Sequence, residues 1–266
     1  MPSGAEGGGR TPRWLLEYVA GMKSLADAEW SALESLRDKI NGISTASQVA
    51  VAAQTACELF TSSFESVVLV RLFIVLPFEK LPAAEQAFAS RLAAGGRSLT
   101  RKTRVLCLVG TSGAKKRWSD RTASVGHLAI PLIDADSVAG APMIAKLLSD
   151  LNVDLKALDD GRPIVTRHML GGKNGVFYVA EAKTAQDARG RQIVADTAFV
   201  RDNDIGTVFG MGGSYADGTL AVMVVFCNEH LERSVVDRYA SFIASFKMAT
   251  AALLENGQIF HESKGV

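Results

Sequence analysis

The chain lacks most of the signals that assign a function outright. It has no cysteine framework: Cys57, Cys107 and Cys227 are far apart, with no CxxC and no Cys/His cluster at zinc spacing. The odd count fits a reducing, cytoplasmic setting better than a disulfide scaffold. It has no charge of one sign to spare. The formal net charge is +1 over 266 residues, so there is no general basic field of the kind that drives nucleic-acid binding. It has no long apolar run: residues 67–78 are interrupted by Arg71 and too short to span a bilayer, which excludes a membrane partner of that kind. Residues 1–10 are rich in Gly and Ser without an apolar core, a flexible tail rather than a signal peptide. There is no internal repeat, no Ser/His/Asp order and no paired-carboxylate motif, so no catalytic residue is assigned. Gly110-Thr-Ser-Gly-Ala-Lys-Lys116 follows a strand but lacks the phosphate-loop spacing, and Phe209-Gly-Met-Gly-Gly213 is not a dinucleotide fingerprint.

What is present is a core of sufficient size, with 48% apolar and 21% charged residues. The richest local signal is a hairpin, residues 206–227, in which Asp217-Gly218 separates two apolar runs. Residues 11–40 and 44–60 read as helices from their apolar spacing, with Thr11 and Pro12 as a start and Asn41-Gly42 as a stop. Strands are expected at 65–77, 103–109, 127–133 and 175–182, with helices at 81–94, 137–151 and 231–255. Residues 152–173 and 184–204 carry no clear pattern. The order αα-β-α-β-β-α-β-β-β-α predicts an α+β fold with a mixed, mainly antiparallel central sheet. A doubly wound parallel sheet fails because βα alternation stops after residue 200. The expected division is a tail at 1–10, a helical segment at 11–62, a central domain at 63–230, a C-terminal helix at 231–256 packing on the N-terminal helices, and a tail at 257–266.

Lys116-Arg-Trp-Ser-Asp-Arg-Thr-Ala-Ser-Val-Gly-His-Leu-Ala-Ile-Pro-Leu132, Ala141-Pro-Met-Ile-Ala-Lys-Leu-Leu148, Val176-Phe-Tyr-Val179 and the 206–226 hairpin together cover most of 65–230. In these segments the chain resembles GAF-type sensory domains, most nearly the input domains of bacterial sensor kinases. The resemblance implies a GAF/PAS-like sheet, flanking helices that pair in a homodimer, and a small-molecule pocket on one sheet face. No kinase H-box, cyclase or helix-turn-helix module is recognised, so a separate signalling protein is the expected reader.

The candidate ligand-binding residues are Arg117, Trp118, Asp120, Arg121, Ser124 and His127, with Arg71 in mid-strand and Tyr178 in the resembling segment. Arginine forks suit carboxylate or phosphate groups, and an indole can stack on a ring or cation. The plain alternative is an ordered loop: Asp120 paired with Arg117 or Arg121, Trp118 plugging the core edge, and His127 bonded to a carbonyl. Neither His127 nor His168 has a carboxylate or cysteine at ligand spacing, so no metal site is assigned, and the cofactor stays open. Alternation makes Arg71 need an acidic or ligand partner if its face is covered. The 209–213 glycines either relieve twist or admit a ligand. The stripe Leu231, Val235, Tyr239, Phe242, Phe246, Ala249, Leu253 either covers the sheet or forms a dimer bundle. Three functions follow: a non-enzymatic sensor, a methionine-sulfoxide-reductase-like redox enzyme on a GAF fold, or a ligand-free interaction scaffold. The redox enzyme needs an exposed, low-pKa thiol.

Overall fold

Residues 67–77 are almost wholly β-branched or large apolar, and they become the strand around which the rest assembles. In the computed structural model, which describes residues 24–93, 98–155 and 175–260, β1 (Val67–Pro77) pairs on one side with β2 (Arg104–Gly113) and on the other with β6 (Leu220–Cys227). The sheet extends to β3 (Ala129–Leu132), β5 (Thr207–Ser214) and β4 (Gly175–Val179), in the order β3-β2-β1-β6-β5-β4. Every pairing is antiparallel.

The hairpin forms where Asp217-Gly218 predicts it. Gly218 sits at φ +83°, and the Asp217 carboxylate accepts from the Thr219 amide and hydroxyl at 2.8 and 2.9 Å. This side chain closes the turn and sets the β5–β6 register, Phe209 opposite Val225 and Gly213 opposite Ala221.

Both sheet faces are covered. On the first, Val70, Leu72, Ile74, Cys107, Met223 and Val225 lie under α1 (Trp30–Asn41), α2 (Val49–Ser63), α3 (Ala83–Ala93) and α8 (Phe242–Glu255). Gly110 lets α2 approach: a Cβ there would overlap the Ala53 backbone. On the second face, Leu69, Phe73, Leu108, Phe177, Val224 and Phe226 lie under α4 (Ala135–Ala139), α5 (Pro142–Asp150), α6 (Thr197–Asp202) and Ile193, Val194 and Ile205.

Several boundaries differ from the sequence reading. The strand expected to close at Gly110 runs on to Gly113, because beyond a register shift at Val109 residues 110–113 pair again with Leu72 to Leu69 of β1. The helix expected at 137–151 is two. Asp134 and Ser137 form a capping box on α4, and Pro142 starts α5 afresh. The helix expected at 231–255 is also two, α7 (Arg233–Asp237) and α8. The break carries Arg238, which donates to the carbonyls of Leu25, Ala26 and Ala28, and Tyr239, whose hydroxyl donates to Leu25 O at 2.7 Å. Glu229 completes this clasp by accepting from Ser24 Oγ and the Leu25 and Ala26 amides. The second N-terminal helix begins at Val49, since Ser44 and Thr45 fall in a 3-10 turn. Of the expected 11–40 helix, residues 11–23 lie outside the described residues. So do His168, the 1–10 tail and most of 152–173. Residues 184–196 are a loop with one bridge, Gln186 to Gln192, and Asp196 then caps α6.

Tyr239, Phe242 and Phe246 of the C-terminal stripe are fully buried against the chain's own sheet, where Phe60, Phe64, Phe209 and Tyr239 form one aromatic cluster. Such rings contribute about 1.5–3 kcal/mol each by burial. The stripe therefore covers the sheet, while Met248 stays 70% exposed on the outer side of α8.

Candidate functional site

Strand alternation decides which candidates can meet. Val70 and Leu72 point to the helix face, so Arg71 points to the second face, between Leu69 and Phe73 and across from Thr111 and Val224. That face is covered, so Arg71 is the mid-strand cation that requires a partner. It has none among the described residues. Its Nε is buried without a hydrogen bond, and burial lowers the guanidinium pKa. Arg71 is half-buried, and the unsatisfied burial of its Nε costs stability, because the hydration lost there is not replaced.

His127 is brought to the same place. The loop from β2 to β3 carries it, and its imidazole keeps solvent-exposed surface. Enough protein crowds the ring that its pKa still falls to about 4, through desolvation first and the Arg71 guanidinium second; the Asp196 carboxylate acts the other way. The carbonyl bond expected for His127 is not made among the described residues. Ser124, three residues earlier, has a buried Oγ without a partner. Arg71, His127 and Asp196 thus converge from β1, the β2–β3 loop and the start of α6, three segments far apart in sequence.

Trp118 closes one end of this face. Its ring meets Phe199 edge-on at 5.6 Å, and Phe199 meets Phe226 at 5.4 Å, a three-ring wall joining the loop to α6 and β6. Lys115 Nζ lies 4.7 Å over the indole, and Thr111 Oγ1 donates to Trp118 O. Arg117 is exposed, with no ion pair or hydrogen bond among the described residues.

The other candidates go elsewhere. Asp120 does not pair with Arg117 or Arg121. It caps a short 3-10 turn by accepting from the Thr122 amide and hydroxyl at 2.9 and 2.7 Å, and these bonds hold its carboxyl below the usual range. Arg121 turns to the helix face. Its Nη1 lies 2.5 Å from Oε1 of buried Glu85, and its guanidinium stacks on Phe260 at 4.7 Å. Tyr178 also packs on the helix face, with its hydroxyl donating to Leu231 O at 2.7 Å and Arg233 over its ring. Neither shares the Arg71 face. The 210–213 glycines admit packing: a Cβ on Gly210 would lie 2.7 Å from Met223 O, and one on Gly212 would lie 2.5 Å from Leu151.

Sequence reading missed Asp196, because residues 184–204 show no period. Its N-cap position before α6, accepting from the Phe199 amide, was the available signal.

All three cysteines are buried and free. Burial pushes the Cys57 thiol far up, and those of Cys107 and Cys227 to about 12, the opposite of a reactive thiolate. Among the described residues, no group of three His, Cys, Asp or Glu side chains is placed to hold a metal ion. None of their helices is long and apolar enough to cross a membrane.

No family model matches the chain, and no curated protein matches it significantly. Solved structures that it is similar to include GAF domains. One is the phycoerythrobilin-bound GAF domain from a cyanobacterial phytochrome, at 10% identity over 84% of this chain and 96% of that one, with a TM-score of 0.46. Another is the GAF domain of Acinetobacter phosphoenolpyruvate-protein phosphotransferase, at 11% identity over 88% and 100%, TM-score 0.44. A third is free methionine-R-sulfoxide reductase from Neisseria meningitidis in complex with its substrate, at 8% identity over 89% and 96%, TM-score 0.46.

Proposed function

We propose that the chain is a GAF-like sensory or regulatory domain that takes a small anionic molecule on the second sheet face and works without catalysis. One observation carries this reading: Arg71 stands on a covered face without a carboxylate or carbonyl partner among the described residues. Proteins retain such a destabilising group where a ligand completes it. His127 and Trp118 wall the same face, and Asp196 sits beside the imidazole.

The site has a route outward. The β2–β3 loop that presents Trp118 and His127 to this face also carries Arg121, which grips Glu85 of α3 and Phe260 at the other face. Residues 258–259 in turn accept hydrogen bonds from the Val49 and Ala50 amides at the start of α2. A ligand that repositions the loop therefore loads α2, α3 and the C-terminal segment together, which a partner protein can read. Association of two copies through the outer helix surface, where Trp30 and Met248 are 65% and 70% exposed, belongs to the same proposal. The elevated cysteine pKa values give no support to the redox alternative.

Native mass spectrometry of freshly purified protein tests both parts. The expected result is a retained small molecule in the wild type, lost in Arg71→Met, on a dimeric protein. Identical masses and identical melts for wild type, Arg71→Met and His127→Ala, with no bound species, would end the sensor reading.

A further inference from the structure

Resting on that reading, the geometry around Arg71 also points to the class of ligand: we infer that this face binds a monoanionic carboxylate carried on a small apolar body, and not a phosphate ester. Three observations support it. The first is the guanidinium itself: it makes no hydrogen bond to a described residue, Nε is its buried nitrogen, and a free fork of this kind meets both oxygens of a planar carboxylate in parallel.

The second is the surroundings. Leu69 and Phe73 flank Arg71 along β1, Val224 lies opposite on β6, and Phe226 with Phe199 forms the wall beyond. An apolar body is matched there, and a second ionised oxygen is not.

The third is charge balance. Arg71 brings one positive charge. His127, with its pKa down to about 4, is neutral at physiological pH, and the Asp196 carboxylate bears on the imidazole. Of the loop's other cations, Arg121 is bonded to Glu85, Lys115 lies over the outer Trp118 ring, and Lys116 and Arg117 are exposed. A single negative charge matches the one unpaired guanidinium, and with the Asp196 carboxylate already beside the imidazole a dianion would add a further uncompensated charge.

Calorimetric titration at neutral pH, on dialysed full-length protein, tests this. The probes are monocarboxylates from acetate to decanoate plus benzoate, the matching primary amides, inorganic phosphate and phenyl phosphate. The expected result is saturable binding of at least one apolar carboxylate, with its amide at least about tenfold weaker, as loss of a charge-assisted hydrogen bond requires. Binding should vanish in Arg71→Met and weaken in Arg71→Lys, which keeps the charge and loses the fork. Circular dichroism melts establish that both variants are folded. Phenyl phosphate binding through Arg71 as tightly as any carboxylate overturns the carboxylate assignment and leaves the sensor reading standing. Equal affinity for an acid and its amide also overturns it. No response to any probe, with wild type and Arg71→Met alike, overturns both.

Discussion

Arg71 and Arg121 are both candidate ligand-binding arginines in the sequence, and their surroundings make them opposites. Arg121 is bonded to a carboxylate that is itself almost fully buried. Removing one partner of such a pair strands the other, so Glu85→Gln is expected to destabilise the fold by about 3 kcal/mol in chemical denaturation. The exposed Arg101–Glu79 pair is the control, where Glu79→Gln should change stability by less than about 0.5 kcal/mol. Arg71 predicts the reverse sign. Its Nε is buried without a partner and burial lowers its pKa, so Arg71→Met should raise the melting temperature of the ligand-free protein while abolishing binding. A lowered melting temperature would show that Arg71 is held by a structural partner after all. His127 adds a pH dependence. Its folded pKa lies below the unfolded value near 6.5, so the unfolded chain binds the proton more readily. The stability contribution is intact above that value and is lost as pH falls towards about 4, and His127→Gln should flatten this limb of a pH-stability profile.

At the scale of elements, close approach of backbones matters more than propensity. β2 continues through Gly110 because α2 lies directly on it, with no space for a methyl group. Gly110→Ala should therefore push α2 off the sheet and destabilise by about 1–3 kcal/mol, the usual cost of overpacking, with faster amide exchange in α2 as the local readout. The turn at 238–241 interrupts an otherwise continuous helical pattern because Arg238 and Tyr239 reach the carbonyls of residues 25–28. Glu229 holds the amides of the same segment. Burial opposes its ionisation, yet the hydrogen bonds it accepts outweigh this and lower its pKa. Its contribution is thus present above the unfolded carboxyl pKa and lost as pH falls through the lower folded value. Glu229→Gln should speed hydrogen exchange at Leu25 and Ala26 before the sheet core responds.

For the whole molecule, the central sheet was legible because each strand announces itself locally. Residues 67–77 are almost wholly β-branched or large apolar, and Asp217-Gly218 fixes a hairpin through its own side chain and a positive φ. The placement of the candidate residues was legible only in part. Arg71, Trp118 and His127 were singled out and do share a face, whereas Arg121 and Tyr178 lie on the other side of the sheet and Asp120 serves a local turn. Asp196 was missed, since a short cap in an aperiodic loop looks like any other aspartate.

The amino-acid order alone determined the α+β class, the antiparallel sheet and the hairpin, since these depend on period and turn chemistry within a few residues. Only the tertiary structure decided which charged side chains meet. A one-residue step along a strand sends neighbours to opposite faces, and whether a cation finds a carboxylate there depends on segments far away in sequence: Glu85 came to Arg121, and no described carboxylate pairs with Arg71.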